Sequence, residues 1–495
     1  MIRSVLIANR GEIALRIVRA VRDLGLRAIA VYSEADKLAP HVLLADEAYE
    51  IGPPRASESY LSVDRLIEAA RVAQADAIHP GYGFLAERAD FARAVEGAGI
   101  IFIGPTPETI AAMGDKTEAR KRMAAAGVPI VPGITDPVSS ASEALRASRT
   151  LGFPVLLKAA SGGGGKGMRV VDRPGELERF FAAATREAEG AFGDGRIYVE
   201  SYVDRPRHVE VQILADNYGN LVHLGERECS IQRRHQKLIE EAPSPLLTAS
   251  ERSDIGEVAL TAARAVDYRG AGTVEFLYHN GNYYFLEMNT RLQVEHPVTE
   301  LVTGIDLVEW QLRVASGEQL AFSQGDISLT GHAIECRITA EDPLAGFLPS
   351  TGTISHLEVP AGLGVRWDGG VSEGLEVSRH YDPLLGKLIT HGPDRLSAIG
   401  RMTRALDELE VLGVKTSALF HRRVMEEKDF ISGHISVAYI EEHQSILSPE
   451  VSEDYLVTAA VAAALMEDGH RSGHRIPRLN SENTGNRMSA WRNFR

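Results

Sequence analysis

The sequence predicts a chain of mixed α/β and α+β class, built in successive parts. Three observations lead there. The chain opens on a β-α-β pattern followed by further short apolar strands, which reads as an open parallel sheet. Four consecutive glycines, Gly162 to Gly165, lie between two apolar strands farther along. From about residue 331 to about Thr390 the pattern turns to mostly antiparallel segments with many glycines.

The elements follow in order. Residues 2–8 are apolar and β-prone, and Ile13, Ile17, Ala20, Val21 and Leu24 then recur at helical spacing. Gly25 ends that helix, and Arg27 to Tyr32 form the next strand. The first turn lacks Gly-x-Gly-x-x-Gly, which disfavours a dinucleotide site. Strands at Ala75–His79 and Ile100–Ile103 complete a first domain, 1–113. A second domain, 114–330, begins with a helix near Lys116 to Ala126. It continues with strands at Phe153–Lys158, Met168–Val171, Tyr198–Val203 and His208–Leu214. A third, 331–447, closes with helical patterns near 394–411 and 416–428. Residues 448–495 read as an Ala-rich helix and then a polar, Arg-rich tail without Lys.

Composition narrows the function. The hydrophobic content of 44% and charged content of 24% are those of an ordinary soluble globular protein. No apolar run is long enough to span a bilayer. Only two cysteines, Cys229 and Cys336, point to a reducing, cytoplasmic setting. The formal net charge of −15 argues against general nucleic-acid binding, so an anionic ligand needs a local cluster of cations.

The stretch from Glu275 to His296 carries the most chemistry. It reads as a hairpin that turns at Asn280-Gly281-Asn282 and returns from Tyr283 to Met288. If the return stays extended, Glu287, Asn289, Arg291, Gln293 and Glu295 share one side, while Leu286, Met288, Leu292 and Val294 face a core. Solvated strand faces alternate too, but they carry Lys, Thr and Ser. Carboxylates, amides and one guanidinium suit a divalent metal and an anion, with Glu275, Glu287 and Asn289 as oxygen donors.

Three further motifs stand out. The glycine run lets backbone N–H groups approach a phosphate, with Lys158 and Lys166 adding charge. A strand follows it, so it is not a Walker A loop. Arg227 to Lys237 reads either as a solvated basic loop or as a small-anion site. His79-Pro-Gly-Tyr-Gly-Phe-Leu-Ala-Glu87 is either a tight turn or a ligand loop at a strand end, where open α/β sheets bind ligands.

Together these pieces resemble one family. Phe153 to Met168 and Phe285 to Leu292 resemble the two ATP-grasp signatures shared by biotin carboxylases and carbamoyl-phosphate synthetases. His79 to Glu87, Met113 to Lys116, Ser230 to Lys237 and Gln293 to Glu300 single out biotin carboxylase. The resemblance covers about 1–447. It implies a pre-ATP-grasp domain, an ATP-grasp domain with a mobile lid near 130–203, and a biotin-carboxylase C-terminal domain.

The resemblance also implies residue roles. Lys116, Lys158, Gly164, Gly165, Glu200, Val203, His208, Gln232 and His235 match ATP-contacting positions, together with Glu275 and Glu287. Glu275, Glu287 and Asn289 match ligands for Mg²⁺ or Mn²⁺, two ions in all. Lys237, Arg291, Gln293 and the Val294 backbone match the bicarbonate site, and Glu295 matches the general base. Arg337 matches the residue facing the biotin ureido oxygen, and Tyr82 and Gly83 match positions near biotin.

The sequence departs from the family pattern in places. Ser201 stands where many members carry Lys, Ser161 replaces a glycine, and Arg88 stands where Asn is common. No Ala-Met-Lys-Met biotin-acceptor motif is present, so biotin is expected on a separate carrier protein or domain, with a carboxyltransferase as further partner. A homodimer is implied by resemblance alone. Two rival readings are weaker. A carbamoyl-phosphate-type ligase is disfavoured by the lack of an internal repeat. A non-catalytic nucleotide-binding protein is disfavoured because Glu295, Arg291 and the metal positions are present.

Overall fold

The computed structural model describes residues 2–134, 136–159, 168–444, 456–458 and 460–465. Residues 1–447 form one compact unit and 448–495 a second. In the second, 456–458 and 460–465 are helical, as the Ala-rich pattern predicts, with Leu456, Val457, Val461 and Leu465 exposed. The Arg-rich tail and the glycine loop with Ser161, Gly164, Gly165 and Lys166 lie outside the described residues.

The first unit opens on the expected parallel sheet. Strands β1 (Ser4–Ile7), β2 (Arg27–Ser33), β3 (Glu47–Gly52), β4 (Ala77–His79) and β5 (Ile101–Phe102) lie in the order β3-β2-β1-β4-β5. Strand β3 gives little signal in the sequence because it is a half-exposed edge with only Ile51 buried. The order reverses between β1 and β4, so loops at the strand ends there border a crevice.

A separate three-stranded antiparallel sheet follows: β6 (Val155–Ala159), β7 (Arg169–Val171) and β8 (Ile197–Ser201), with β6 in the middle. It packs with helices Ala141–Leu151 and Leu177–Phe192 around its own core, which includes Val155, Leu157, Val199 and Phe181.

The largest sheet is antiparallel and has eight strands. Its order is β13 (Asn282–Asn289), β12 (Gly270–His279), β9 (Arg207–Ala215), β10 (Leu221–Arg233), β11 (Gln236–Ala242), β14 (His332–Thr339), then Leu384–Gly392 and Val365–Gly369. It therefore runs through both the second and third expected domains. One face carries apolar residues: Val209, Val211, Ile213, Val274 and Phe276 in one core, and Ile334, Cys336 and Ile338 in another. The alternate residues His208, Glu210, Thr273, Glu275, Glu335 and Arg337 take the opposite face.

Two expectations need correction. Arg227 to Lys237 is not a loop. It is most of β10 and the start of β11, joined by a two-residue turn at Arg234 and His235, both at positive φ. The return strand of the 275–296 hairpin also does not stay extended. It ends at Asn289, bends at Thr290 and Arg291, and enters helix His296–Thr303. Pro297 at the start of that helix suits its first turn. Met288 and Leu292 are buried as expected, but in different cores, and Leu286 and Val294 are only partly buried.

The hairpin itself forms where the sequence places it. His279 pairs with Asn282, leaving Asn280 and Gly281 as a two-residue turn with both φ positive.

Candidate active site

The metal end of the site is a cross-strand pair. Glu275 on β12 lies directly opposite Glu287 on β13, and Thr273 lies opposite Asn289. Like charges facing each other across a ladder are destabilising. Burial and the neighbouring Glu275 charge push the Glu287 carboxyl above its ordinary range. Asn289 Nδ2 donates to Glu275 Oε1 at 2.9 Å. Two converging carboxylates and an amide oxygen are hard donors with excess negative charge, so these residues fit Mg²⁺ or Mn²⁺.

From Glu275 the contacts run to Glu295, the expected base. Lys237 Nζ donates to Glu275 Oε1 at 2.9 Å, Glu210 Oε2 at 2.5 Å and Glu295 Oε1 at 2.7 Å. The other Glu295 oxygen accepts from an Arg337 terminal nitrogen at 2.9 Å, and Arg337 Nε donates to Glu240 Oε1 at 2.6 Å. Burial works against a charged Glu295, but Lys237 outweighs it, with help from Arg337 and Arg227, and holds the carboxyl below its ordinary value. Glu295 is therefore ionised at neutral pH, as a base must be. Glu240 goes the other way: burial pushes it up to about 7, against Arg337.

The remaining bicarbonate positions converge despite the bend. Gln293 Nε2 donates to Glu275 Oε1 at 2.7 Å. An Arg291 terminal nitrogen donates to Asn289 Oδ1 at 3.0 Å, and Arg291 Nε lies 3.0 Å from Glu87 Oε2. Glu87 belongs to the His79 motif, so the crevice of the parallel sheet and the hairpin meet at one ion pair. In that motif Asn9 Nδ2 donates to the carbonyls of Pro80 and Tyr82, each at 2.7 Å. Gly81 and Gly83 have positive φ, and a Cβ on Gly81 would press on Asn9. The Tyr82 hydroxyl donates to Glu12.

The nucleotide positions spread wider. Lys116, at the start of helix Lys116–Ala125, has its ammonium pKa lowered by burial and by nearby Lys158, with Glu287 and Glu200 opposing. Glu200 on β8 accepts from Arg120 at 2.8 Å, and Val203 follows that strand. His208 Nε2 lies 3.1 Å from Glu275 Oε2, close to the metal end. Burial opposes its charge, but Glu275 and the Glu210 contact together outweigh burial and lift the ring to about 9. Gln232 pairs with Lys237 across β10 and β11, and His235 is exposed at the hairpin tip.

Sequence reasoning passed over three supports. Glu210 faces Glu275 across the β9–β12 ladder. Its signal was the parity it shares with His208 and Gln212 among valines. Arg227, with no exposure at all, donates to Glu210, Gln212, Thr273, Gln293 and Thr299 at 2.5–3.0 Å and so uses every N–H of its guanidinium. The third support is a bulge. Ile239 pairs with Ile231 and Lys237 with Gln232, so Leu238 is an extra residue in β11. Leu238 and Ile239 both enter the hydrophobic core, and Lys237 and Glu240 both reach the charged face.

Family models agree with this layout along the chain. "Biotin carboxylase, N-terminal domain" matches residues 1–110. "Carbamoyl-phosphate synthase L chain, ATP binding domain" matches 115–323, and "Biotin carboxylase C-terminal domain" matches 335–442. Biotin carboxylase of Haemophilus influenzae is 53% identical over 442 residues, 89% of this chain and 98% of that one. Biotin carboxylase 1 of Bacillus subtilis is 51% identical over 443 residues, again 89% and 98% of the two chains. Among solved structures, the biotin carboxylase domain dimer of Hydrogenobacter thermophilus 2-oxoglutarate carboxylase, in complex with MgADP, ADP and bicarbonate, aligns with a TM-score of 0.86. It is 48% identical and covers 92% of this chain and 100% of its own. With all three domains matched and relatives this close over nearly nine-tenths of its length, the chain belongs to the biotin carboxylase family.

Proposed function

We propose that this chain carboxylates biotin on a separate carrier protein, using ATP and bicarbonate, as the first half-reaction of a biotin-dependent carboxylase. One observation carries the reading. The Lys237 ammonium joins the carboxylate of the metal pair, Glu275, to the base, Glu295, and Glu295 in turn touches Arg337. Nucleotide, bicarbonate and biotin chemistry thus share one continuous set of contacts. The solved relative with MgADP and bicarbonate supports the same ligands here.

Lys237, Arg291, Gln293 and the Val294 N–H hold bicarbonate beside the γ-phosphate, with Arg291 as a planar clamp. Glu295 takes the bicarbonate proton as an oxygen attacks that phosphate, giving ADP and carboxyphosphate. Carboxyphosphate splits into CO₂ and phosphate, and the phosphate takes the biotin N1′ proton. Arg337 stabilises negative charge on the ureido oxygen while the nitrogen bonds to CO₂. Lys116, Lys158, Glu200, Val203, His208, Gln232, His235 and the Gly164-Gly165 backbone bind ATP. Two Mg²⁺ or Mn²⁺ ions on Glu275, Glu287 and Asn289 neutralise charge on the phosphates when bound. The 130–203 segment closes over the nucleotide and excludes water from carboxyphosphate. Tyr82 and Gly83 border biotin. The protein works in the cytoplasm as a homodimer, with a biotin carrier and a carboxyltransferase as partners.

The test is ATP hydrolysis by the full chain with and without bicarbonate and free biotin, together with detection of carboxybiotin. Bicarbonate dependence, stimulation by biotin and carboxybiotin formation are expected. Hydrolysis that biotin does not stimulate, with no carboxybiotin, overturns the reading.

A further inference from the structure

Lys387 plays no part in the reaction as described, yet it is a lysine with no exposure in the middle of strand Leu384–Gly392. Burying an ammonium is costly unless it is paired and hydrogen-bonded, and an aliphatic residue would serve a purely packing role better. Its neighbours explain the charge. Across the ladders Lys387 faces Arg337 on one side and Asp368 on the other. Its Nζ lies 3.2 Å from Glu12 Oε1 and 3.9 Å from Asp368 Oδ2. Asp368 is already held by both sides of the Arg366 guanidinium, at 2.9 and 2.7 Å, so Glu12 is the counter-charge of Lys387.

The directed contact of Lys387 goes elsewhere: Nζ donates to the Val294 carbonyl at 2.8 Å. The peptide before that one is held too. The Gln293 carbonyl lies 2.8 Å from His296 Nδ1 and accepts from the His296 backbone N–H at 3.3 Å. Burial first, then the nearby Lys387 charge, keep the His296 ring neutral, so its Nδ1–H donates. Because a peptide is planar, fixing the Gln293 carbonyl fixes the direction of the Val294 N–H. Fixing the Val294 carbonyl fixes the next peptide, which leads into Glu295. These two peptides are irregular backbone between a strand and a helix, and no ladder holds them.

We propose that Lys387 is a positioning residue for the bicarbonate site, holding the Val294 carbonyl, next to the peptide that His296 fixes, so that the Glu295 carboxylate stays aimed at the substrate. The inference rests on the biotin carboxylase reading of that site. Lys387 touches no substrate. It acts through the backbone of residues 294–295.

The experiment measures ATP hydrolysis against bicarbonate and against ATP for the wild type, Lys387→Met, Glu12→Gln/Lys387→Met and Glu12→Gln. Thermal melting runs alongside. The double variant removes both buried charges together and so avoids leaving the Glu12 carboxylate unpaired. Both Lys387 variants are expected to raise KM for bicarbonate roughly tenfold or more, with KM for ATP within about twofold, as a small misplacement of bound substrate would produce. Glu12→Gln alone keeps the Lys387–Val294 contact, and its bicarbonate KM stays near wild type.

A folded double variant with wild-type bicarbonate KM overturns the proposal. So does a parallel rise in both KM values, or a rise in Glu12→Gln as large as in Lys387→Met. A wild-type chain without bicarbonate-dependent hydrolysis instead removes the underlying reading of the site, an outcome visible before any variant is compared.

Discussion

Lys237 Nζ and Glu295 Oε1 lie 2.7 Å apart, and the same nitrogen reaches Glu275 at 2.9 Å. One ammonium thus fixes the distance between one carboxylate of the proposed metal pair and the carboxylate proposed to take the proton. It also keeps the second one ionised.

The first prediction concerns that base. Glu295→Gln keeps the shape but cannot accept a proton, and its amide nitrogen cannot accept from Lys237 or Arg337, so one of those two contacts is lost. Turnover is expected to fall by ~10²–10⁴, the usual worth of a positioned base. Nucleotide affinity should stay within a few-fold, since Glu295 belongs to the bicarbonate end. Phosphate release and nucleotide titration read the two quantities separately, and near-normal turnover removes the assignment.

Glu287→Gln separates function from stability. The variant relieves the repulsion between facing carboxylates, so without divalent metal it should melt higher, by about 0.2–1 kcal/mol. The same change removes a metal donor, so the Mg²⁺ concentration needed for half-maximal activity should rise. A lower melting point without metal would show that the two carboxylates do not repel as their register indicates.

Arg227→Lys is expected to be severe although both side chains are cationic. A lysine has three donors on a flexible stem where the guanidinium makes five fixed contacts. Partners left unsatisfied in a fully buried site place the loss at about 3–5 kcal/mol, read by thermal or denaturant unfolding. A variant as stable as the wild type would mean that this network relaxes freely.

Glu241 supplies the pH dependence. Burial raises its carboxyl pKa, but Arg395 at 2.6 Å and His332 at 2.7 Å outweigh burial and bring it down to about 2. A depressed folded pKa stabilises above the unfolded value and is lost as pH falls toward the folded one. The contribution, about 3 kcal/mol from the size of the shift, is present above about pH 4.5 and fades toward pH 2. Glu241→Gln should lower the melting temperature at pH 7, with a deficit cut to about half near pH 3. An equal deficit at both values contradicts the ion-pair account.

Much of this was legible in the sequence because the strands alternate cleanly. Glu275, Asn289 and their turn at Asn280-Gly281 could be placed from period two and from residues that tolerate positive φ. The parity argument failed beyond Asn289 because Pro297 and the following helix pull the chain out of the strand, and parity has no meaning across a bend. Gln293 and Glu295 still converge, held by Arg227, Lys237 and Arg337, which arrive from strands 42 to 66 residues away in sequence. Such long-range partners leave no local pattern. Lys387 was invisible for the same reason: a lone lysine in an apolar strand reads as an edge, and only the sheet order buries it.

The extra residue at Leu238 has a wider consequence. A seven-residue strand with strict alternation would aim Lys237 and Glu240 in opposite directions, and one of them would end in the hydrophobic core. With the bulge, a single short strand serves both halves of the proposed chemistry: Lys237 beside Glu295 at the proposed bicarbonate end, and Glu240 behind Arg337, the arginine proposed to meet biotin. Removing this one uncharged, apolar residue would uncouple the two proposed half-steps without altering any residue assigned to them.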